Sequence, residues 1–225
     1  MDVKPAVIFD LDGTLIDSEK IATQVTKDYF YSLGITVTKA HLTCLIGRPW
    51  KPAIEELLRL YPLEQSFDLT LRDLLQAYRN SLSKKVPTIP GSLSLIPLLA
   101  KEFRLGIVSG SHQKDIARAL ESLDLKKYFE TIVGYEDTRS YKPSPEPYFE
   151  IIRRLKLQEE RVLVFEDSVT GITSARAAGL EVVAIRLKQS DKKTFPGINV
   201  IKDFTQIDST WIKSKAQPIR HPKKP

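Results

Sequence analysis

Residues 7–15, Val-Ile-Phe-Asp-Leu-Asp-Gly-Thr-Leu, combine a short apolar run with two acids and a glycine turn. The run from Ala6 to Phe9 has the length and composition of a buried strand. Asp10 and Asp12 follow the end of that run, and like charges so close together need a cation or a proton to compensate them. We therefore expect a strand that carries both acids to one edge of a sheet, beside a hard metal ion.

Short apolar runs of the same kind recur along the chain and alternate with helical patterns. They lie at Leu105–Val108, Thr131–Val133, Val162–Phe165 and Val182–Ile185. Between them, apolar residues at helical spacing form one face at Ile116, Ala119, Leu120 and Leu123, and another at Phe149, Ile152 and Leu155. Strands that alternate with helices build a parallel, doubly wound sheet, so the predicted fold class is α/β.

The segment after the first strand departs from this alternation. About 90 residues separate the first predicted strand from the second, whereas a parallel crossover needs only one helix. Helical patterns occur there at Pro52–Leu60 and Leu69–Leu82, without a strand pattern. We expect an α-helical cap domain over residues 17–86, inserted into a core domain of residues 1–16 and 87–212. The alternative is a set of extra helices packed on one face of the sheet.

The net charge of +6 comes largely from the end of the chain. Five basic residues and no acid lie in the last thirteen positions, and without those five the chain carries 29 basic against 28 acidic residues. We interpret residues 213–225 as a basic flexible tail. Because this segment has no interleaved aromatic residues and no recognition motif, we do not expect nucleic acid as a partner.

The composition excludes several classes of protein. Hydrophobic residues make up 42% of the chain and charged residues 28%, which are ordinary values for a globular protein. No apolar stretch approaches the roughly 20 residues of a membrane span, and the start of the chain lacks the apolar region of a secretory signal. Cys44 is the single cysteine, so neither an internal disulfide nor a cysteine zinc site is expected. We expect a cytoplasmic protein with no membrane partner.

Three further segments carry polar residues where strands end or helices begin. Ser109 and Gly110 follow the second strand, where a hydroxyl and backbone N–H groups can approach a phosphate, although such residues also form ordinary turns. Lys142 precedes a helix entry stiffened by prolines, which aims its ammonium group. Glu166 and Asp167 follow another apolar strand and add carboxylates to the cation site of the first motif.

Taken in order, these segments resemble the four motifs of the haloacid dehalogenase (HAD) superfamily. They are Asp10-Leu-Asp-Gly-Thr-Leu-Ile-Asp-Ser, Ser109, Lys142-Pro-Ser-Pro-Glu-Pro-Tyr and Glu166-Asp-Ser-Val-Thr-Gly-Ile. The resemblance covers about residues 5–205 and is greatest to the β-phosphoglucomutase-like phosphatases, which carry a helical cap after the first motif. It implies a Rossmann-like core with an inserted cap and an enzyme acting on phosphate esters.

The resemblance also implies a role for each motif residue. Asp10 would attack phosphorus as the nucleophile, while Asp12 would protonate the leaving group and then activate water. Ser109 and Lys142 would hold the phosphoryl group, and we expect the backbone N–H of Gly110 to contribute. The implied cofactor is Mg²⁺, and its implied ligands are Asp10, the backbone carbonyl of Asp12 and Asp167. Glu166 is either a further ligand or a holder of metal-bound water.

Asp12 helps to choose among the reactions of the superfamily. In the resembling families, dehalogenases have no acid at this place and phosphonatases have a small residue, whereas an alkoxide leaving group needs a proton donor. The phosphosugar mutases carry a cap histidine four residues after the hinge, and this chain, counted from Ser18, has Ala22 there. The expected function is hydrolysis of a small phosphomonoester, foremost a sugar phosphate. A mutase of the β-phosphoglucomutase type and a catalytically silent binding protein are the alternatives.

Two residues of the predicted cap are candidates for substrate selection. Arg48 could contact a second anionic group, and Trp50 could stack on a sugar or a base. A solvated Arg48 and a Trp50 that belongs to the cap core are the alternatives. Because a site closed by its own cap needs no second subunit, we expect a monomer whose partner is a small phosphorylated metabolite.

Overall fold

The computed structural model describes residues 4–45, 50–83, 86–158 and 161–219. The strands in this part of the chain are β1 (Ala6–Phe9), β2 (Arg104–Val108), β3 (Thr131–Val133), β4 (Arg161–Glu166), β5 (Glu181–Ile185), β6 (Asn199–Ile201) and β7 (Gln217–Pro218). The α-helices are α1 (Ser18–Ser32), α2 (Lys39–Leu42), α3 (Trp50–Leu60), α4 (Phe67–Leu82), α5 (Ser92–Glu102), α6 (Gln113–Ser122), α7 (Glu146–Arg154), α8 (Val169–Ala177), α9 (Gln189–Lys192) and α10 (Ser209–Lys215). None of these helices is long and apolar enough to cross a membrane.

Six strands form a parallel sheet in the order β3-β2-β1-β4-β5-β6, which confirms the predicted doubly wound α/β class. β1 lies at the centre, where Phe9 is opposite Ile107 of β2 and Phe165 of β4. From β1 the chain builds one side of the sheet and then returns to build the other side from β4. The carboxyl ends of β1 and β4 therefore border the crevice in which sheets of this kind bind ligands.

Both faces of the central strand are covered. Ala6 and Ile8 belong to a hydrophobic core that includes residues of α7 and α8. On the opposite face, the ring of Phe9 stacks on Phe165 at 5.2 Å and meets the edge of Phe204 at 6.0 Å. All four residues of β1 are buried, which explains why the strand is a continuous apolar run without alternation.

The predicted apolar face of α7 is wrong at Phe149, which is 42% exposed. The helix buries Tyr148 and Ile151, and Ile152 is partly buried against the same core. Leu155 lies just beyond the helix and is buried as expected. Helical spacing is compatible with either face, and tyrosine is less often fully buried than phenylalanine. The hydroxyl of Tyr148 has a buried acceptor, described below, which makes the complete burial of this residue tolerable.

The chain divides into two compact units, Met1–Ile16 with Thr88–Pro225, and Asp17–Pro87. Within the first unit, Ile16 and Thr88 form an antiparallel bridge, so the chain leaves and re-enters this unit at adjacent points. The second unit contains α1 to α4 and has no strand among its described residues. Its buried core includes Phe30, Ile54 and Leu74.

The predicted flexible tail over residues 213–225 is wrong for its first seven residues. Lys213 and Lys215 belong to α10, which follows a cap in which the Asp208 side chain accepts from the N–H of Trp211. β7 then pairs antiparallel with the first two residues of β4, an edge that β5 does not reach. Ala216 is buried beside it. Residues 220–225 of the predicted tail lie outside the described residues.

Candidate active site

The strand ends place two of the predicted residues at the same edge of the sheet. Asp10 follows β1, and its backbone N–H donates to the carbonyl of Phe165 at 3.0 Å. Ser109 follows β2, and its N–H donates to the carbonyl of Val133 at 3.0 Å. Because the ladder bonds continue to these residues, both are fixed by the backbone, and both side chains are buried.

Lys142 joins three strand ends through one ammonium group. Its Nζ lies 2.6 Å from Asp10 Oδ1 and 2.5 Å from Glu166 Oε1, and it donates to the carbonyl of Val108 at 2.9 Å. An ammonium has three N–H donors, and these three acceptors account for all of them. The predicted loop lysine is therefore held against the predicted nucleophile.

Glu166 is completely buried and surrounded by hydrogen-bond donors. Besides Lys142, its Oε1 accepts from the hydroxyl of Tyr148 at 2.9 Å, and its Oε2 accepts from Ser168 Oγ at 3.2 Å. The first turn of α8 approaches so closely that a Cβ on Gly171 would lie 2.0 Å from the carboxyl carbon of Glu166. A glycine at this position is therefore a condition for the buried carboxylate.

The glycine turn of the first motif brings Asp167 into the site. Gly13 has φ +80°, and a Cβ there would lie 2.1 Å from Asp167 Oδ2. Any other residue would combine backbone strain with a clash. Thr14 is fully buried and its hydroxyl donates to Asp167 Oδ1 at 3.4 Å, so the turn that follows β1 and the end of β4 are in contact.

Three of the predicted metal ligands are close enough to share one ion. Asp10, Glu166 and Asp167 each offer a carboxylate oxygen, and these oxygens lie within 4.8 Å of one another. Lys142 supplies one positive charge against three carboxylates. Hard oxygen donors with excess negative charge are the donor set that suits Mg²⁺, so these residues fit the expected ion.

The pKa values reflect this incomplete charge balance. Burial raises the pKa of Asp10 well above its ordinary value, although the charge of Lys142 opposes the shift. Burial and the neighbouring charge of Glu166 raise the pKa of Asp167 to about 7. Burial alone would lower the pKa of Lys142. The neighbouring carboxylates of Asp10 and Glu166 outweigh this effect and raise the pKa well above its ordinary value. A second positive charge is what the cluster needs to keep its acids ionised.

Asp12 makes contact with the serines that follow β2. Its Oδ2 accepts from Ser111 Oγ at 2.7 Å and from Ser109 Oγ at 3.3 Å, and the N–H of Ser111 donates to Ser109 Oγ at 3.0 Å. The predicted proton donor and the predicted phosphate-binding serine are thus brought together. Gly110 is exposed, and a Cβ there would meet nothing within 4 Å, so its phosphate-binding role stays a prediction.

Comparison with known proteins identifies the family of this chain. The model of the haloacid dehalogenase-like hydrolases matches residues 7–185, which contain every site residue described above. The chain belongs to this family. The predicted membership of the HAD superfamily, and with it the prediction of a hydrolase, is confirmed.

Two curated relatives and one solved structure illustrate the similarity. The phosphorylated carbohydrates phosphatase of Thermotoga maritima is 30% identical over 179 residues, which are 78% of this chain and 82% of that protein. The fructose-1-phosphate phosphatase YqaB of Escherichia coli is 25% identical over 181 residues, 80% of this chain and 96% of that protein. The crystal structure of the β-phosphoglucomutase of Clostridium difficile has a TM-score of 0.68 and 19% identity, and covers 95% of this chain and 97% of its own. At that identity the likeness shows the fold alone.

Of the two predicted specificity residues of this HAD hydrolase, Arg48 lies outside the described residues. Trp50 begins α3 and is half-buried, and its ring meets the ring of Tyr78 at 5.4 Å in an edge-to-face contact. This contact gives Trp50 a packing role within its own unit, and its role in substrate selection stays a prediction.

Sequence reasoning assigned no role to three residues that the structure brings to the site. Tyr148 donates to Glu166, Ser111 donates to Asp12, and Thr14 donates to Asp167. All three lie inside the quoted motifs or directly beside them, which was the available signal. Their partners come from other strands, so the sequence alone did not show what these hydroxyl groups contact.

Proposed function

We propose that this HAD hydrolase is a Mg²⁺-dependent phosphatase that cleaves a small phosphomonoester, foremost a sugar phosphate, through a phosphoaspartate at Asp10. One observation carries the proposal: the ammonium of Lys142 lies 2.6 Å from Asp10, at a sheet edge where two further carboxylates lie close enough to share one cation with it. The curated relatives named as phosphatases of phosphorylated carbohydrates and fructose 1-phosphate support the substrate class.

In the first step, a carboxylate oxygen of Asp10 attacks phosphorus and the bond from phosphorus to the ester oxygen breaks. The departing oxygen takes a proton from Asp12, so the alcohol leaves as a neutral molecule. Ser109 donates to one phosphoryl oxygen, and Lys142 exchanges one of its present acceptors for another. The charge of Lys142 stabilises the negative charge that gathers there in the transition state. The buried site gives that charge a low-dielectric environment in which it acts strongly.

In the second step, water attacks the phosphorus of the phosphoaspartate and gives a proton to Asp12. The bond between phosphorus and the Asp10 oxygen breaks, inorganic phosphate leaves, and Asp10 is again a carboxylate. Asp12 thus acts first as an acid and then as a base, and it ends the cycle protonated, ready for the next ester.

Asp10, Glu166, Asp167 and the backbone carbonyl of Asp12 would hold Mg²⁺, which when bound neutralises the carboxylates and the phosphoryl oxygens. The chain's own contribution is to hold these ligands at one sheet edge, because β1 and β4 are neighbouring strands. Lys142 bridges two of the carboxylates, Asp10 and Glu166, and offsets their mutual repulsion.

Two alternatives remain part of the proposal's test. A silent scaffold protein is disfavoured because Asp10, Asp12 and Lys142 are all present and hydrogen-bonded to other site residues. A phosphosugar mutase is disfavoured by Ala22, a residue of α1 without an acid–base group. We further propose that the helical unit of residues 17–87 serves as the cap and selects the substrate.

The test is phosphate release from a panel of sugar, polyol and nucleoside phosphates, with Mg²⁺ or with EDTA. We expect activity with Mg²⁺, little with EDTA, and a loss of at least about 1,000-fold in Asp10→Asn, since the nucleophile is removed. Glu121→Gln, which changes an exposed carboxylate far along the chain, is the matched control and should behave as the wild type.

A quench experiment separates the mechanisms. Wild-type protein quenched with acid during turnover should carry phosphate that hydroxylamine releases. With p-nitrophenyl phosphate, whose leaving group needs no proton, Asp12→Asn should carry more of it, because only the second step is then slowed. Isomerisation of a sugar phosphate without release of inorganic phosphate would establish the mutase instead. An Asp10→Asn variant as active as the wild type would refute the proposed nucleophile.

A further inference from the structure

The clearest contact in the site without an assigned purpose joins Ser111 to Asp12. Ser111 Oγ lies 2.7 Å from Asp12 Oδ2, which is the ordinary length of a strong hydroxyl–carboxylate hydrogen bond. We propose that Ser111 is a positioning residue that holds the carboxyl group of Asp12 in the orientation from which it exchanges its proton. This inference rests on the proposed function, because it concerns the acid and base of that reaction.

Ser111 is itself held in place by its backbone. Its N–H donates to Ser109 Oγ at 3.0 Å, and its carbonyl accepts from the N–H of Tyr135 at 2.9 Å. A Cβ at Gly134 would lie 3.0 Å from that carbonyl oxygen, so the segment after β3 passes close to it. A side chain whose backbone is tied on both sides can orient a partner, because few of its own degrees of freedom are left.

A hydroxyl suits the task because Asp12 changes its protonation state during the reaction. A serine hydroxyl donates to an ionised carboxylate and can accept from a protonated one, so the contact persists in both steps. An ammonium or a backbone N–H only donates. It would lose its acceptor when that oxygen of Asp12 carries a proton.

The neighbouring serine, Ser109, has a different role in the proposed reaction. Ser109 Oγ is 3.3 Å from Asp12 Oδ2, a longer contact, and it also accepts from the N–H of Ser111. In the proposed function Ser109 donates to the phosphoryl group. With that hydroxyl engaged by substrate, Ser111 keeps the shorter bond to Asp12.

The inference predicts a dependence on the leaving group. A poor leaving group such as an alkoxide needs the proton of Asp12 when the ester bond breaks, whereas p-nitrophenolate leaves without it. The ratio kcat/KM reports the steps up to and including transfer to Asp10, so it isolates this requirement from the later attack of water. Loss of Ser111 Oγ should therefore reduce kcat/KM for alkyl phosphates and leave aryl phosphates nearly unaffected.

The experiment measures kcat/KM of the wild type and of Ser111→Ala with p-nitrophenyl phosphate, phenyl phosphate and one cleaved sugar phosphate. We expect a loss of about 10- to 30-fold on the sugar phosphate and of less than about 3-fold on p-nitrophenyl phosphate. Ser111→Thr, which keeps a hydroxyl, should recover most of the loss. Asp12→Asn should lose more kcat/KM than Ser111→Ala on the sugar phosphate, and its losses should rank the three esters in the same order. Thermal unfolding of each variant checks that the fold is intact.

Equal losses on all three esters, or no loss on any, would overturn the positioning role while leaving the proposed function in place. Failure of Ser111→Thr to recover activity in a folded protein would also overturn it. If the wild type cleaves none of the esters, the proposed function fails, and the inference about Ser111 fails with it.

Discussion

Replacement of Asp167 by asparagine should make the metal-free protein more stable at pH 8, although it removes a predicted metal ligand. The pKa of Asp167 is raised by burial and by Glu166, from an ordinary value of 3.8 to about 7. Between these two pH values the folded protein keeps a proton that the unfolded chain has released. Stability therefore falls as the pH rises through this window, and the loss is complete above about pH 7.

The size of the effect follows from the width of the window. A shift of about three pH units corresponds to about 4 kcal/mol over the whole window, and about 3 kcal/mol of it lies between pH 5 and pH 8. Asp167 is half-buried, and solvent screening reduces the expected change to about 1–2 kcal/mol. Asparagine keeps an oxygen for the Thr14 hydroxyl and carries no charge, so the asparagine variant should lack this pH dependence.

The assay is urea unfolding in EDTA at pH 5 and pH 8, followed by tryptophan fluorescence. The chain has two tryptophans, and a Trp50→Phe background leaves Trp211 to report on the unit that contains the site. Saturating Mg²⁺ should stabilise the Asp167 protein and have a smaller effect on the asparagine variant. The reasoning is refuted if both proteins change equally between the two pH values, or if the variant is the less stable of the two at pH 8 in EDTA.

Three other changes test the packing that supports the site. Gly171→Ala should lower the free energy of unfolding by about 1–3 kcal/mol and reduce activity, because its Cβ would meet the Glu166 carboxyl carbon at 2.0 Å. Gly110→Ala, whose Cβ would have nothing within 4 Å, is the matched control for stability. Equal unfolding midpoints of the two variants would contradict the argument. Glu150→Gln should lower the free energy of unfolding by about 1 kcal/mol at pH 7, since hydrogen bonds from Arg153 and Arg154 lower the pKa of Glu150 to about 2. This contribution is present above the ordinary pKa of 4.5 and is lost as the pH falls towards 2. A stability difference between the two proteins that stayed the same in acid would count against it. A chain that ends at residue 215 should have a free energy of unfolding lower by about 2 kcal/mol, and hence a lower unfolding temperature, because it lacks β7 and the buried Ala216 and Ile219. If calorimetry gave the same midpoint as for the full chain, this segment would be dispensable for stability.

The amino-acid sequence was sufficient to predict the fold class and the edge of the sheet at which Asp10, Ser109 and Glu166 lie. Apolar runs with an acid, a serine or an acid pair directly behind them predicted which strands are buried and where each one ends. Since parallel strands present their carboxyl ends at one edge, the positions of Asp10, Ser109 and Glu166 along the chain were enough to predict that they meet. The five strands predicted from these runs are all present in the sheet.

Local patterns were insufficient where a residue's partner lies far away in the chain. Phe149 and Tyr148 were equally compatible with helical spacing, and only the buried acceptor on β4 makes Tyr148 the core residue. The last seven described residues, 213–219, read as a basic end because they contain two lysines, no acid and few apolar side chains. Their strand forms only because β4 begins two residues before β5 pairs with it.

Tertiary structure alone decided how the charges of the site are arranged. The sequence supplied three carboxylates and a lysine, but their spacing within 4.8 Å, and the position of Lys142 between two of them, depend on the register of β1 against β4. The raised pKa values of Asp10 and Asp167 follow from burial, which is a property of the folded chain. The contact of Ser111 with Asp12 crosses 99 positions of sequence, and no spacing rule connects residues so far apart. Short-range patterns determine which residues reach a sheet edge, whereas distances, protonation and partners are set by packing between strands.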